Sequence, residues 1–331
     1  MERKTKKRPQ RRKQNRGIAK ALHTPRPGGH PLGEGSTLAR GEQRLAYLLL
    51  GPPCLIVSAL ILFPVLWNLW LAFHRVRLLD LRRFHWWQLE TTLNNFIKIF
   101  AHHDFWPALK ATLLYTTGGT LLALLMGLAA ALMVHSHFRG RGVLRGTFLI
   151  PYIAPVVAVA FAWRFILDPR GVLMASLLGS GILEQPLHLL GQRPWAMMSL
   201  IAFEGWRYFP FDFLFILARL QAIPDELYEA AAVDGATPFQ KFFFITLPQL
   251  KLVLATLVLL RFMWTFNKFD DAFLVTRGTG GTRVFTIKVY DFLIGEFNVG
   301  AGAAMALVLF ALLGMFLFVY FTWVMRRAEE E

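Results

Sequence analysis

Apolar residues in this chain run in blocks far longer than a strand or a surface helix requires. Six blocks reach about 20 residues or more: roughly Leu45–Phe73, Trp106–Val134, Thr147–Leu167, Trp195–Leu217, Leu250–Val275 and Val299–Val324. A helix of about 20 apolar residues crosses a bilayer core of about 30 Å, so the pattern predicts an all-α membrane protein with six transmembrane helices. Pro64 predicts a kink in the first of them. Gly118, Gly119, Gly127 and Ala131 in the second block, and Gly300, Gly302, Ala303 and Ala304 in the sixth, predict close approach of helix backbones. Arg164, Arg207 and Arg261 fall inside blocks or near their edges. A charge facing lipid is costly, so each is expected to face protein, a cavity or headgroups.

One stretch interrupts this pattern with shorter helix signals, YEAAAVDGATPFQKFFFITLPQL from Tyr228 to Leu250. Pro224, Asp225 and Glu226 suit the first turn of a helix, and Gly235 suits its left-handed cap. Thr237 and Pro238 then open a second helix through Phe239–Ile245, which Pro248 is expected to close. The first helix presents alanines and acids. Phe242, Phe243 and Phe244 are expected to anchor the second against the bundle. On the residues alone, this object is either a docking surface or an amphipathic interfacial connector.

Composition agrees with a membrane chain: 55% of residues are hydrophobic and only 17% charged, against about 25% charged in soluble domains. The net charge of +15 is concentrated at one end, since residues 1–44 carry 13 Lys/Arg against 3 Asp/Glu. The run from Glu2 to Arg16 has no aromatic interleaving. It reads as a basic, disordered cytoplasmic tail touching anionic lipid rather than a nucleic-acid site, and no signal peptide is expected. The tail, the arginines of Arg139–Arg145 and the Met325-Arg326-Arg327 end favour the inside. Arg75, Arg77, Arg82 and Arg83 oppose this from the outer side. Six spans then place both termini, and the Tyr228–Leu250 stretch, in the cytoplasm. The expected division is 1–44 tail, 45–105 first span and external loop, 106–327 membrane core with a cytoplasmic loop at 221–248, and 328–331 acidic end.

The same residues argue against chemistry carried by the chain itself. Cys54 is the single cysteine, which excludes an intramolecular disulfide. His102-His103 and His135-x-His137 are expected to be interfacial side chains, and no metal site is expected. No G-x4-G-K-[ST] loop is present. Arg277–Thr282 is glycine-rich but lacks the lysine and is expected to be a flexible outer loop. Asp270 and Asp271 read as the polar outer end of the fifth span. No enzyme is expected.

The pattern E-A-A-x3-G followed by I-x-L-P occurs as Glu229-Ala230-Ala231, Gly235 and Ile245-Thr246-Leu247-Pro248. Beside it stand FRGRG at Phe138–Gly142, IPYIAPVVAVAFAWRFILDP at Ile150–Pro169, LQAIPDELYEAAAVDGA at Leu220–Ala236 and WTFNKFD at Trp264–Asp270. Over about Leu45–Arg327 the chain resembles the permease subunits of binding-protein-dependent ABC importers, and their carbohydrate and glycerol-phosphate subfamily in particular. RGTGGT at Arg277–Thr282 departs from the Gly-Gly-Pro turn usual there.

The resemblance implies a type I ABC importer permease fold whose cytoplasmic coupling (EAA) loop docks on a separate ATPase subunit. Glu229, Ala230, Ala231 and Gly235 would form the docking element, with Asp225, Glu226 and Asp234 as polar contacts. The implied partners are a sister permease in a heterodimer, an ABC ATPase dimer carrying ATP and Mg, an extracytoplasmic solute-binding protein and the lipid membrane. No cofactor would be bound by this chain. Trp206, Arg207, Tyr208, Asp212, Trp264, Asn267 and Asp270 are candidates for the substrate pathway, since aromatic faces suit sugars and arginine suits phosphate. Helix–helix or interfacial contacts remain an equal reading of them. Importers for polyamine or iron, and a secondary transporter, are the alternatives.

Overall fold

The computed structural model describes residues 35–79 and 90–325, with side chains for 43–79 and 90–322. The expectations for the tail up to residue 34, Arg82, Arg83 and residues 326–331 lie outside the described residues. All described elements are helical apart from two isolated antiparallel bridges, His74 with Thr91 and Arg77 with Asn298. The chain divides into two units, residues 1–64 and 65–331.

The first unit holds helix α1, Gly35–Val57, and a π-helical turn, Ser58–Leu62. α1 starts ten residues before the expected Leu45, because the polar run ahead of it contains good helix formers. Its described side chains are all exposed, although they are overwhelmingly apolar, as in a helix solvated by lipid. The π-turn stands just ahead of Pro64, the position of the expected kink. Phe63 N–H reaches back to Ser58 O, and this wider turn lies just before a proline that cannot donate. Helix α2, Phe63–Ala72, follows.

The second unit contains α3 (Asn94–Ala101), α4 (Phe105–His135), α5 (Arg141–Ile153), α6 (Val156–Leu167) and α7 (Val172–Gly179). It continues with α8 (Trp195–Gln221), α9 (Asp225–Val233), α10 (Pro238–Lys241) and α11 (Leu247–Phe266). The last elements are α12 (Asp270–Val275), α13 (Phe285–Tyr290) and α14 (Val299–Val319). Among the described residues four helical stretches are long and apolar enough to cross a membrane: Gln43–Ala72, Phe105–His135, Pro238–Phe266 and Val299–Thr322. Arg141–Ile153 with Val156–Gly179 would be a fifth as a pair bent by 93°.

Three expected spans therefore differ from the structure. The third is broken, because Pro155 lacks an N–H and holds Ala154 extended at φ −61°, ψ 140°. Arg141 and Arg145, expected in the loop ahead of it, stand on α5, and Arg145 Nη2 donates to Val134 O at the end of α4. The fourth is a 27-residue helix, α8, that fails on apolarity because it carries Glu204, Arg207, Asp212 and Arg219. The fifth begins at Pro238 and ends at Phe266. Pro248 does not close the second short helix, since it occupies the first turn of α11, next to a π-turn at Phe242–Thr246 that carries the helix through.

α4 and α8 lie close along their lengths, and glycines make this possible. A Cβ on Gly119 would sit 2.6 Å from Glu204 Cγ, and one on Gly127 would sit 2.7 Å from Asp212 Cβ and 2.9 Å from Phe213 N. Gly205 stands against Leu122 in the same way. Around this seam pack Ala130, Ala131, Phe213, Ile216 and Leu257 toward one end, and Tyr115, Leu200, Phe203 and Ala272 toward the other. Gly127→Ala is expected to destabilise the protein by about 1–3 kcal/mol through overpacking. Gly142→Ala, on an open helix surface with nothing within 4 Å, is expected to stabilise by about 0.5–1 kcal/mol. Unfolding of the purified variants in detergent measures both, and equal effects would contradict the close seam.

Candidate functional site

The surface element that follows α8 is built from cap chemistry. Asp225 and Glu226 occupy the first turn of α9, where acids complement the helix dipole. At its other end Gly235 takes φ +75°, Gly235 N–H donates to Ala232 O and Ala236 N–H to Ala231 O. This pair of bonds is a Schellman cap, which favours glycine at the left-handed position. Thr237 and Gln240 then form a reciprocal capping box with Pro238 in the first turn of α10. Asp225, Glu226, Glu229, Ala230, Asp234 and Gly235 are exposed, with Ala231 half-buried. Among the described residues none of these acids has an ion-pair partner. A hollow of about 300 Å³ lies in the crook, lined by Ala231, Gly235, Gln240, Lys241 and Phe244 among others.

Two links fasten this element to the helices. Tyr228 Oη and Thr246 Oγ1 are 3.0 Å apart, and Arg219 donates to Gln249 O at 2.9 Å and to its side-chain oxygen at 2.6 Å. The aromatic residues do not anchor it as expected. Phe243 and Phe244 are 51% and 79% exposed, and Phe243 packs on Phe239 and Phe242 instead. Their position on a helix side turned away from the bundle decides this.

The second feature is a buried cluster of charge. Glu204 is fully buried and accepts from Arg261 Nη2 at 2.7 Å, Thr265 Oγ1 at 2.9 Å, Lys268 Nζ at 2.9 and 3.0 Å and Tyr115 Oη at 2.8 Å. Lys268 also stands 3.4 Å from Asp271 and 3.4 Å above the centre of the Tyr208 ring. Arg261 Nε is 3.8 Å from Asp212, and its guanidinium lies 4.7 Å from the same ring. Helical spacing assembles the set. Glu204, Tyr208 and Asp212 recur every fourth residue on α8, and Arg261, Thr265 and Lys268 follow nearly the same period along α11 and just past its end.

Of the pathway candidates, Tyr208 and Asp212 belong to this cluster. Arg207 is buried and donates to Pro151 O at 3.3 Å and Ala154 O at 3.0 Å, the carbonyls freed at the α5–α6 break. Trp206 stacks on Trp163, and Trp264 meets Phe211 edge-on while staying 45% exposed. Asn267 and Asp270 are exposed, and Asn267 bonds Met263 O. Asp271 is not the polar outer end of a span but fully buried. Glu204, Lys268 and Thr265 escaped the sequence reading. A glutamate inside an apolar block, four residues before a tyrosine and eight before an aspartate, is the signal that could have found them.

The turn Thr276–Thr282, expected to be a flexible loop, is ordered: Thr276 and Thr282 hydroxyls bond at 2.6 Å, and Thr279 Oγ1 donates to Leu190 O. His102 and His103 are joined by Asp104 in a group within 4.8 Å. Lys288 and Arg283 approach that carboxylate at 3.3 and 3.6 Å, taking the charge a metal would need. Burial alone would raise the Asp104 carboxyl, but its hydrogen bond to the Lys288 ammonium prevails and holds it below the usual carboxylate value. Burial, then the Lys288 charge, lowers His102.

Comparison with known proteins bears on these elements. Residues 119–330 match the family described as binding-protein-dependent transport system inner membrane component. The inner membrane ABC transporter permease protein YcjO of Escherichia coli is 33% identical over 286 residues, covering 83% of this chain and 92% of that protein. The trehalose/maltose transport system permease protein MalF of Thermococcus litoralis is 32% identical over 292 residues, covering 86% and 95%. A chain of a bacterial alginate ABC transporter, crystallised with an alginate-bound periplasmic protein, superposes with a TM-score of 0.73 at 22% identity, over 87% of this chain and 96% of that one. That last likeness concerns the fold.

Removing one member of a buried ion pair strands the other, at a cost of about 3–5 kcal/mol. Glu204→Gln and Lys268→Met are each expected to destabilise strongly, and the double variant by clearly less than their sum. Detergent unfolding of the three variants checks this; additive losses would show that the two side chains do not act together.

Proposed function

The chain belongs to the binding-protein-dependent transport system inner membrane component family, and from that membership we propose that it forms half of the translocation pathway of an ATP-driven importer for a carbohydrate or polyol phosphate. It is a multi-pass permease subunit, not an enzyme. In this reading ATP and Mg are bound by a separate ATPase dimer. A sister permease completes the pathway, and an extracytoplasmic solute-binding protein delivers the cargo. The sugar transport named for MalF favours the carbohydrate class.

Six crossings follow if the bent pair Arg141–Ile153 and Val156–Gly179 counts as one and α8 counts as another. α8 can lie in the membrane despite its charges because Glu204, Arg207 and Asp212 are all buried against protein, and Arg219 stands in its last turn. Both termini and α9 are then cytoplasmic.

The observation that carries the coupling role is the construction of α9. It is an exposed helix with a small-residue surface and acids that have no ion-pair partner among the described residues, set by a glycine cap and tied by Tyr228 to the helical run Pro238–Phe266. At about 1.5 Å per residue, that 29-residue run extends roughly 43 Å and ends among Arg261 and Thr265. Closure of the ATPase subunits would push α9, and the long helix would carry the displacement to the Glu204 cluster and the pathway walls beside it. Tyr208, Trp206 and Trp264 are the side chains we place toward a sugar. Arg207 and Asp212 serve to hold α8 against its neighbours.

Glu229→Lys and Gly235→Pro are expected to abolish co-purification of the ATPase subunit, while Glu184→Lys, on the opposite side of the membrane in this topology, leaves it unchanged. Pull-down from membranes reads the difference. Retention of the ATPase by both α9 variants would contradict the docking role, and uptake that persists without any ATPase would sink the importer reading altogether.

A further inference from the structure

At the end of α8 remote from α9, a groove of about 570 Å³ runs between the first turns of α4 and α8. Trp106, Lys110 and Leu114 line it from α4, and Arg193, Met197 and Met198 from α8 and the residues just before it. Lys110 and Leu114 stand about one and two turns below Trp106, so the groove descends roughly 12 Å along the helix. Its walls are mostly apolar and largely open: Trp106 is 68% exposed, Met198 54% and Leu114 47%.

Two cations face this apolar wall, and among the described residues neither Lys110 nor Arg193 has a hydrogen-bond or ion-pair partner. Arg193 is exposed, and its guanidinium lies over Gly281, where a Cβ would stand 2.3 Å from Arg193 Nε. Asp104 lines an adjoining hollow with Arg193 and Arg283, but its charge is already met by Lys288 and Arg283. The positive ends of two helix dipoles point the same way. Tryptophan at headgroup level, a lysine able to reach up from below it and an apolar slot beneath are the parts of an interfacial lipid site.

We propose that this groove holds an anionic glycerophospholipid, with its phosphate between Lys110 and Arg193 and an acyl chain along Leu114, Met197 and Met198. A single acyl chain fits the open slot, and the two cations select a headgroup of net negative charge. The lipid would wedge the starts of α4 and α8, the two helices whose seam holds the Glu204 cluster.

Native mass spectrometry of the full-length protein, delipidated and titrated with phosphatidylglycerol, tests this. Two basic side chains at a membrane surface together account for about a 30-fold difference in association, so Lys110→Ala with Arg193→Ala is expected to weaken binding by about that factor. Met198→Trp, which fills the slot and keeps both cations, is expected to displace the lipid as well. The charge-conserving pair Lys110→Arg and Arg193→Lys should retain it, which guards against a folding defect in the alanine variant. Phosphatidylglycerol bound equally by wild type and the double alanine variant would overturn the proposal. So would inorganic phosphate displacing the lipid at equal concentration, or phosphatidylcholine binding as tightly as phosphatidylglycerol.

Discussion

A carboxylate in the middle of a helix that must live among apolar neighbours constrains everything around it. Glu204 resolves that constraint by drawing four donors from two other helices and from the break after α11: Tyr115 of α4, Arg261 and Thr265 of α11, and Lys268. The cost of taking such charges out of water is several kcal/mol per ion and is offset only where geometry and hydrogen bonding are good. The glycine seam between α4 and α8 follows from the same demand, because Gly119 leaves the space that Glu204 fills. One buried acid thereby fixes the mutual register of three helices.

From that centre the molecule extends in two directions. Toward the α9 end, the helical run Pro238–Phe266 ties the cluster to the π-turn on which Tyr228 rests. Toward the other end, Lys268 leads into the short helix Asp270–Val275, where Asp271 answers its charge. Arg207 acts sideways, with its guanidinium occupying the carbonyls of Pro151 and Ala154 where the α5–α6 pair turns through 93°. Under the proposed coupling, a displacement at α9 would reach a set of elements joined by charged and hydrogen-bonded contacts that have no ready replacement in lipid.

What could be read beforehand followed local rules. The glycine cap at Gly235, the Thr237 start and three of the long apolar helices depend on short-range sequence and were legible in it. The break at Pro155 was marked by a proline that an averaged apolar block conceals. Pro248 misled in the opposite sense, because a proline ends a helix only when the preceding turn cannot widen, and here a π-turn does. The outward-facing Phe243 and Phe244 were unreadable from apolarity, which says that a side chain avoids water without saying whether protein or lipid receives it. Partnership within the Glu204 cluster is long-range, spanning 57 residues to Arg261 and 89 to Tyr115. Periodicity could nominate its members but not join them.

In the proposed mechanism α9 receives motion from an ATPase and passes it to the membrane helices. Cysteine cross-linking in the assembled transporter addresses it most directly, with Cys54 replaced by serine and one cysteine introduced at Ala230. A cross-link to the ATPase subunit is expected both with and without ATP, and ATP-dependent uptake is expected to stop when it forms. Uptake that continues undiminished with α9 covalently fixed to the ATPase at a non-native spacing, or the absence of any cross-link from Ala230 in an active complex, would contradict it.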